Sequence, residues 1–284
     1  MLATLFSATV SWCVTWFFIE WLMGWFGRTG GTSSYVWATL VVGGMILLAR
    51  TDFAENLIKG AAMIEDNPKT DAYVKKIIAR HFPPEIVPRD LRVGIIHDSV
   101  PNAVAIGRRT LGVTAGLLGR ATEEELVGVL GHELGHFNRG DTLRTISAMF
   151  AFAPGAASMF ILWYAIAISF VILTFGCAFE EEPGEKTAVG YYMSFPYMAM
   201  GLAIYWLVNL VLLADSRIGE YRADEFSART SETARLGLIS YLEWMQRQTK
   251  KKRYGFVEAI LSTHPSPDKR VARLKRIGGE KNGR

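Results

Sequence analysis

Cysteine is nearly absent. Two residues, Cys13 and Cys177, in a chain of 284 leave no disulfide framework to infer and no thiolate pair at zinc-ligand spacing. Internal repeats and low-complexity tracts are missing too, which excludes repeat architectures. Charge is scarce at the start of the chain. The first Lys or Arg is Arg28, and between Leu2 and Phe26 only Glu20 is charged. Without a basic region ahead of it this stretch does not read as a signal peptide. We read it as a retained span, long enough for a hydrocarbon core about 30 Å thick. Glu20 is costly in lipid, and its place near the end of the run suggests the interface. Polar residues are sparse in the remaining apolar runs, Asn209 being conspicuous, which weakens a transporter reading. The net charge of +4 comes with no recognition motif and gives little support for nucleic-acid binding.

What is present is apolar: half of all residues, unevenly spread. Residues 35–49 form a second run, shorter than the roughly 20 residues of a full span. With a tight turn over 27–34 it predicts a helical hairpin, a re-entrant or interfacial helix being the alternative. Residues 146–178 and 188–213 are further long runs, separated by an acidic loop at 180–186. The expected organisation is an N-terminal transmembrane hairpin (1–49), a soluble part (50–145), a second transmembrane hairpin (146–213) and a C-terminal soluble part (214–284). The fold class is mostly α with a small β-sheet and about four transmembrane helices.

In the first soluble part, residues 71–80 predict a helix with Tyr73, Val74, Ile77 and Ile78 on one face, stopped by Pro83-Pro84. Residues 91–96, 103–106 and 110–113 are short β-rich runs between turn residues. Next comes His132-Glu133-Leu134-Gly135-His136. Residues i and i+4 share a helix face, so both imidazoles can reach one metal ion. Glu133 then stands beside the ion, placed to take a proton from water. Thr122 and Glu125 form a capping box that starts this helix. Leu126, Val127, Leu130 and Leu134 give it an apolar stripe, and Asn138-Arg139-Gly140 ends it. The bland alternative is a buried helix with two structural histidines.

A hydrolytic zinc site needs three protein ligands and one open position. Glu220 is the candidate third ligand, and Asp224, again at i+4, could support a ligating histidine. Spacing alone leaves a solvated acidic face equally open, because Glu225 follows. His136 and Glu220 can share one ion only if the chain between them crosses the bilayer an even number of times. The two apolar runs supply two crossings.

HELGH followed much later by SRIGEYRAD resembles the membrane-integrated zinc metallopeptidases of the HtpX type, relatives of the CAAX prenyl proteases. Agreement extends to PNAVAIG (101–107), NRGD (138–141) and His264-Pro265, in order over residues 101–274. The resemblance implies a zincin-type protease domain with one Zn2+ bound by His132, His136 and Glu220. It makes Glu133 the catalytic base, and Asp224 the residue that orients His132. It also implies that His264 lies near the metal, as an oxyanion donor or an occupant of the open position, and that Asn102 hydrogen-bonds substrate. A loop histidine and an Asx turn are the respective alternatives. His81 and His97 lack motif context and read as surface or structural residues. A small sheet beside the zinc helix suits a protease, since an extended peptide can add itself as a strand.

Lysine and arginine favour the cytoplasmic side. The acidic loop therefore points outward, and the basic run 250–253 with the residues after it points inward. Both halves of the site then face the cytoplasm of an inner membrane, and the basic cluster could rest on anionic headgroups. The expected function is hydrolysis of membrane proteins, misfolded ones included, in protein quality control. Substrate class and quality-control role rest on the resemblance alone. The alternative is an inactive zinc-binding scaffold or chaperone-like module. A CAAX-type protease is less favoured, having more spans.

Overall fold

The computed structural model describes residues 2–26, 31–177, 185–249 and 265–282. The chain forms two compact units, one of residues 1–48 and 147–212, the other of residues 49–146 and 213–284.

In the first unit, α1 (Leu2–Trp25) and α2 (Gly31–Leu48) pair as a hairpin. α2 starts earlier than the apolar run suggests. Gly31 to Ser34 belong to the helix rather than to a turn, and these four residues bring it to spanning length. The buried Ser34 hydroxyl donates to Glu20, so that carboxylate has a protein partner on α2. The same unit contains most of α7 (Asp141–Cys177), with Pro154 inside it. Proline removes a backbone donor, and the next amide, Gly155 N–H, bonds the Ser11 hydroxyl of α1 at 2.8 Å. Thr4–Gly24, Gly31–Leu48 and Asp141–Ala165 are long and apolar enough to cross a membrane. Residues 188–213 lie within one continuous helix, α8 (Glu185–Thr230).

The second unit is built around a single apolar core. α3 (Asp52–Ala61) leads to β1 (Glu65–Asp66), α4 (Pro68–His81), a short 3-10 turn (Pro84–Ile86) and β2 (Arg92–Ile96). β3 (Ala103–Ile106), β4 (Thr110–Thr114), α5 (Ala115–Arg120) and α6 (Glu123–Arg139) follow. The C-terminal half of α8, α9 (Glu232–Thr249) and α10 (Pro267–Asn282) complete it. The sheet order is β1-β2-β4-β3, with β2 and β4 parallel and the other pairs antiparallel. β3 is thus an edge strand.

Val74, Ile77 and Ile78 of α4 enter the core beside Leu111 and Val113 of β4. Tyr73 does not, being half exposed. α4 begins at Pro68 because Asn67 caps it, accepting from the amides of Lys69 and Thr70. α10 runs through Gly278-Gly279 instead of stopping there, since Gly278 packs directly on the Arg235 guanidinium. His81 and His97 stand near Glu123 and Glu65 at 3.4 and 3.3 Å, as surface pairs.

α6 has both predicted boundaries. Thr122 and Glu125 make the reciprocal capping box, and Gly140, at φ +65°, closes the C-terminus in the left-handed region. Its apolar stripe is fully buried, and so is every other residue from Glu125 to Gly135. Two glycines, one just before the histidine motif and one inside it, explain how a second helix comes so close. A Cβ on Gly131 would stand 2.6 Å from Ser227 Oγ, and one on Gly135 would stand 3.0 Å from Ala223 Cα. Gly131 and Gly135 are one turn apart on α6, as are Ala223 and Ser227 on α8. The two helices therefore meet backbone to backbone at Gly135, and the Ser227 side chain packs directly on Gly131.

Gly135→Val should destabilise the protein by about 1–3 kcal/mol through overpacking. Gly119→Ala, at a helical site with open space around the new methyl, should be neutral or stabilising by up to about 1 kcal/mol. Thermal midpoints in detergent check the contrast.

Candidate metal centre

Small-residue contact between α6 and α8 puts Glu220 and Asp224 opposite His132 and His136. The Nε2 atoms of the two histidines are 3.2 Å apart. Glu220 Oε2 lies 3.5 Å from His132 Nε2, and Glu220 Oε1 lies 3.5 Å from His136 Nε2. All three side chains are largely buried, and together they could hold a metal ion. Zinc bonds these donor types at about 2.0–2.2 Å in a tetrahedron, whose edges are then about 3.3–3.6 Å. The two Nε2 atoms are near that spacing, each stands at it from one oxygen of Glu220, and two imidazoles with one carboxylate suit zinc chemically.

Each histidine is steered by its other ring nitrogen. His132 Nδ1 is 2.9 Å from Asp224 Oδ1. An Nδ1–H donated there leaves the Nε2 lone pair facing Glu220 and His136. His136 Nδ1 faces Asp141 Oδ2 at 3.6 Å, and Arg144 holds the other oxygen of Asp141.

Sequence reasoning missed Arg270. It is buried, and its fork grips Asp224 with Nε to Oδ2 at 2.8 Å and Nη2 to Oδ1 at 2.6 Å. Its Nη1 is 3.1 Å from Glu220 Oε2, and its Nη2 lies 3.3 Å from His132 Nδ1. The available signal was helical spacing: Arg270 leads Val271, Leu274 and Ile277, the core face of α10. Asp141 lay within the resembling NRGD stretch, but with no role attached to it.

Charge balance supports the fit. Glu133, Glu220 and Asp224 are three buried carboxylates facing one buried guanidinium, an excess a divalent cation would neutralise. Burial pushes the Glu133 carboxyl up, against the opposing pull of His132, His136 and the Ala105 amide. Burial alone would also raise Asp224, but Arg270 and His132 outweigh it and hold that carboxyl below the usual range. Burial opposes a charged His136, yet Asp141, Glu220 and Glu133 push its pKa up to about 10. The pocket thus favours positive charge at its centre.

β3 borders the site. Ala105 N–H donates to Glu133 Oε2 at 2.8 Å. Thr114 N–H bonds Asn102 C=O at 3.0 Å, which makes residues 102, 104 and 106 the bonded partners of β4. The N–H and C=O groups of Ala103 and Ala105 therefore point to the open edge. Asn102 is exposed at the start of that strand, its own N–H held by Thr114 Oγ1 at 2.8 Å. The Asx turn nearby is made by Asp98, which accepts from Val100 N–H. His264 and the basic run 250–253 lie outside the described residues.

Comparison with known proteins gives the family. The profile of peptidase family M48 matches residues 68–278. Protease HtpX of Legionella pneumophila (strain Philadelphia 1) is 31% identical over 277 residues, covering 88% of this chain and 91% of the relative. The protease HtpX homolog of Pyrococcus abyssi is 28% identical over 295 residues, covering 89% and 96%. The crystal structure of S. mikatae Ste24p superposes only loosely, with a TM-score of 0.42 at 18% identity over 85% of this chain and 64% of that one. Family match, relatives and apolar helices lead to one conclusion: the chain belongs to peptidase family M48, as a membrane metalloprotease similar to HtpX.

Proposed function

We propose that this protein is a zinc-dependent endopeptidase that cleaves membrane proteins, misfolded ones included, as part of membrane protein quality control. In this reading His132, His136 and Glu220 hold the ion and Glu133 is the general base. Asp224, itself fixed by Arg270, orients His132. The cluster of two Nε2 atoms 3.2 Å apart, each 3.5 Å from one oxygen of the Glu220 carboxylate, is the observation that carries the proposal.

A bound zinc ion supplies Lewis acidity, which acidifies water and polarises the scissile carbonyl. Glu133 takes a proton from the attacking water and passes it to the departing amine. The Ala105 amide pins one oxygen of Glu133 and leaves the other to handle the proton. Burial raises the pKa of the Glu133 carboxyl, which favours its holding the proton it takes until the amine departs. An extended substrate adds to the open edge of β3 through Ala103 and the Ala105 carbonyl. Asn102, at the head of that strand, binds substrate, and His264 is assigned the developing oxyanion by resemblance. The four-part organisation set out from the sequence, with a fourth span in 188–213, belongs to the same reading. The excess of Lys and Arg after residue 213 supports an active site facing the cytoplasm of an inner membrane.

Metal analysis of detergent-purified protein tests the ligand set. Wild type should carry one zinc per chain and Glu220→Ala well under half of that, whereas equal contents would remove Glu220 from the site. Glu133→Gln should keep its zinc and lose about 100-fold or more in casein cleavage. His136→Ala should lose both metal and activity.

Arg270 is a positioning residue with a separable signature. Arg270→Ala would leave Asp224 buried without its partner, at a cost of about 3–5 kcal/mol. Arg270→Lys keeps the charge without the two-pronged grip and should recover only part of that. Arg273, paired with Glu225 on a more open surface at 3.1 Å, should cost less than about 1 kcal/mol when changed to Ala. Thermal midpoints of the three variants provide the check.

A further inference from the structure

We propose that α3 is a membrane-surface helix whose Phe53–Leu57 face sits in the headgroup–acyl boundary of the bilayer that α2 crosses. The proposal rests on α2 being a span and is independent of the zinc reading.

The amphipathicity of α3 is inverted. On a soluble surface a helix turns its apolar side chains to the core and its carboxylates to water. Here Glu55 is buried together with Ala54, while Phe53 and Leu57, one turn apart, are 61% and 55% exposed. Met63, just beyond the helix, is 77% exposed.

The inversion is held in place by what Glu55 does. One carboxylate oxygen accepts from the Thr110 hydroxyl, and the other accepts from the Arg108 amide at 3.2 Å. Gly107, at φ +61°, presses its bare Cα side against the same carboxylate. Rotating α3 to bury Phe53 and Leu57 would carry the Glu55 carboxylate outward and leave the Thr110 hydroxyl and the Arg108 amide without their acceptor. The outward face therefore needs an apolar medium from elsewhere.

The bilayer is the apolar phase closest along the chain. Only Ala49, Arg50 and Thr51 separate the last residue of α2 from the first of α3. Even fully extended, that connection reaches no more than about 14 Å. α3 thus begins within reach of the interfacial layer bordering the hydrocarbon core. Its make-up is that of a helix lying in the interface: Phe and Leu turned outward, with the exposed Asp52 and Asn56 beside them.

The opposite side of α3 grips the β3–β4 hairpin, and β3 gives its Ala105 amide to Glu133. Lipid contact and the strand that borders the site are therefore parts of one connected piece. A peptide pairing with β3 would be held against a segment anchored at the membrane surface, where the chain of a membrane protein emerges.

Single nitroxide labels on the full-length protein, with Cys13 and Cys177 changed to Ser, test this in phosphatidylethanolamine–phosphatidylglycerol vesicles. Leu57→Cys is compared with Leu40→Cys on α2 and Tyr73→Cys on α4, exposed positions at 58% and 50% respectively. Relaxation by oxygen and by a water-soluble nickel chelate gives the depth of each label. Labels at 57 and 40 should both favour oxygen, and the label at 73 should favour nickel. A label at 57 that behaves like the one at 73 overturns the proposal. Shielding at 57 from both reagents would mean that protein covers the face, which overturns it too. A water-exposed label at 40 would remove the span beneath it.

Discussion

Everything at the centre of this protein depends on how closely α6 and α8 can approach. The histidines sit on one helix and Glu220 and Asp224 on another, more than eighty residues later in sequence. Bringing two imidazoles and a carboxylate to within 3.5 Å of one another tolerates little error in that separation. Glycine at 131 and 135 facing Ser227 and Ala223 removes the side-chain layer that normally holds helix axes 8–10 Å apart. The carboxylates of α8 then arrive on the same side as the imidazoles of α6. Specificity of geometry comes here from what the side chains omit.

Electrostatics completes what packing begins. Burying Glu133, Glu220 and Asp224 together would be prohibitive without compensation. Arg270 supplies part of it through two hydrogen bonds to Asp224 and a 3.1 Å contact with Glu220. What is left is negative potential at the point where the two Nε2 atoms converge. His136 responds with a pKa pushed up to about 10. The pocket is organised for a cation, and the Glu133 carboxylate beside it is anchored by the backbone of an edge strand.

The histidine motif and its helix were legible in the sequence because their determinants are local. A capping box, a 3.6-residue apolar period and a left-handed glycine all act within a turn or two of each other. Glu220 and Asp224 were legible only as a spaced pair, since an i, i+4 acidic pattern also describes a solvated face. Arg270 was legible only as the first residue of a helical apolar face with Val271, Leu274 and Ile277. In a terminal segment rich in Lys and Arg, that spacing does not say which guanidinium turns inward to a carboxylate 46 residues away. The inverted face of α3 escaped for a similar reason: burial of Glu55 is decided by Thr110 and Arg108, across the sheet. β1, two residues long, and α5, six residues long, are too short to leave a periodic signal. The early start of α2 was hidden by Gly31 to Ser34, residues that favour turns by propensity but extend a helix once packed against α1.

The central claim is that two imidazoles and one carboxylate, contributed by two separate helices, share a single zinc ion. X-ray absorption at the zinc edge of the purified, metal-loaded protein tests it most directly. The account predicts a light-atom shell containing the signature of two imidazole rings and no sulfur. A sulfur shell, or a spectrum with fewer than two imidazoles, would contradict it.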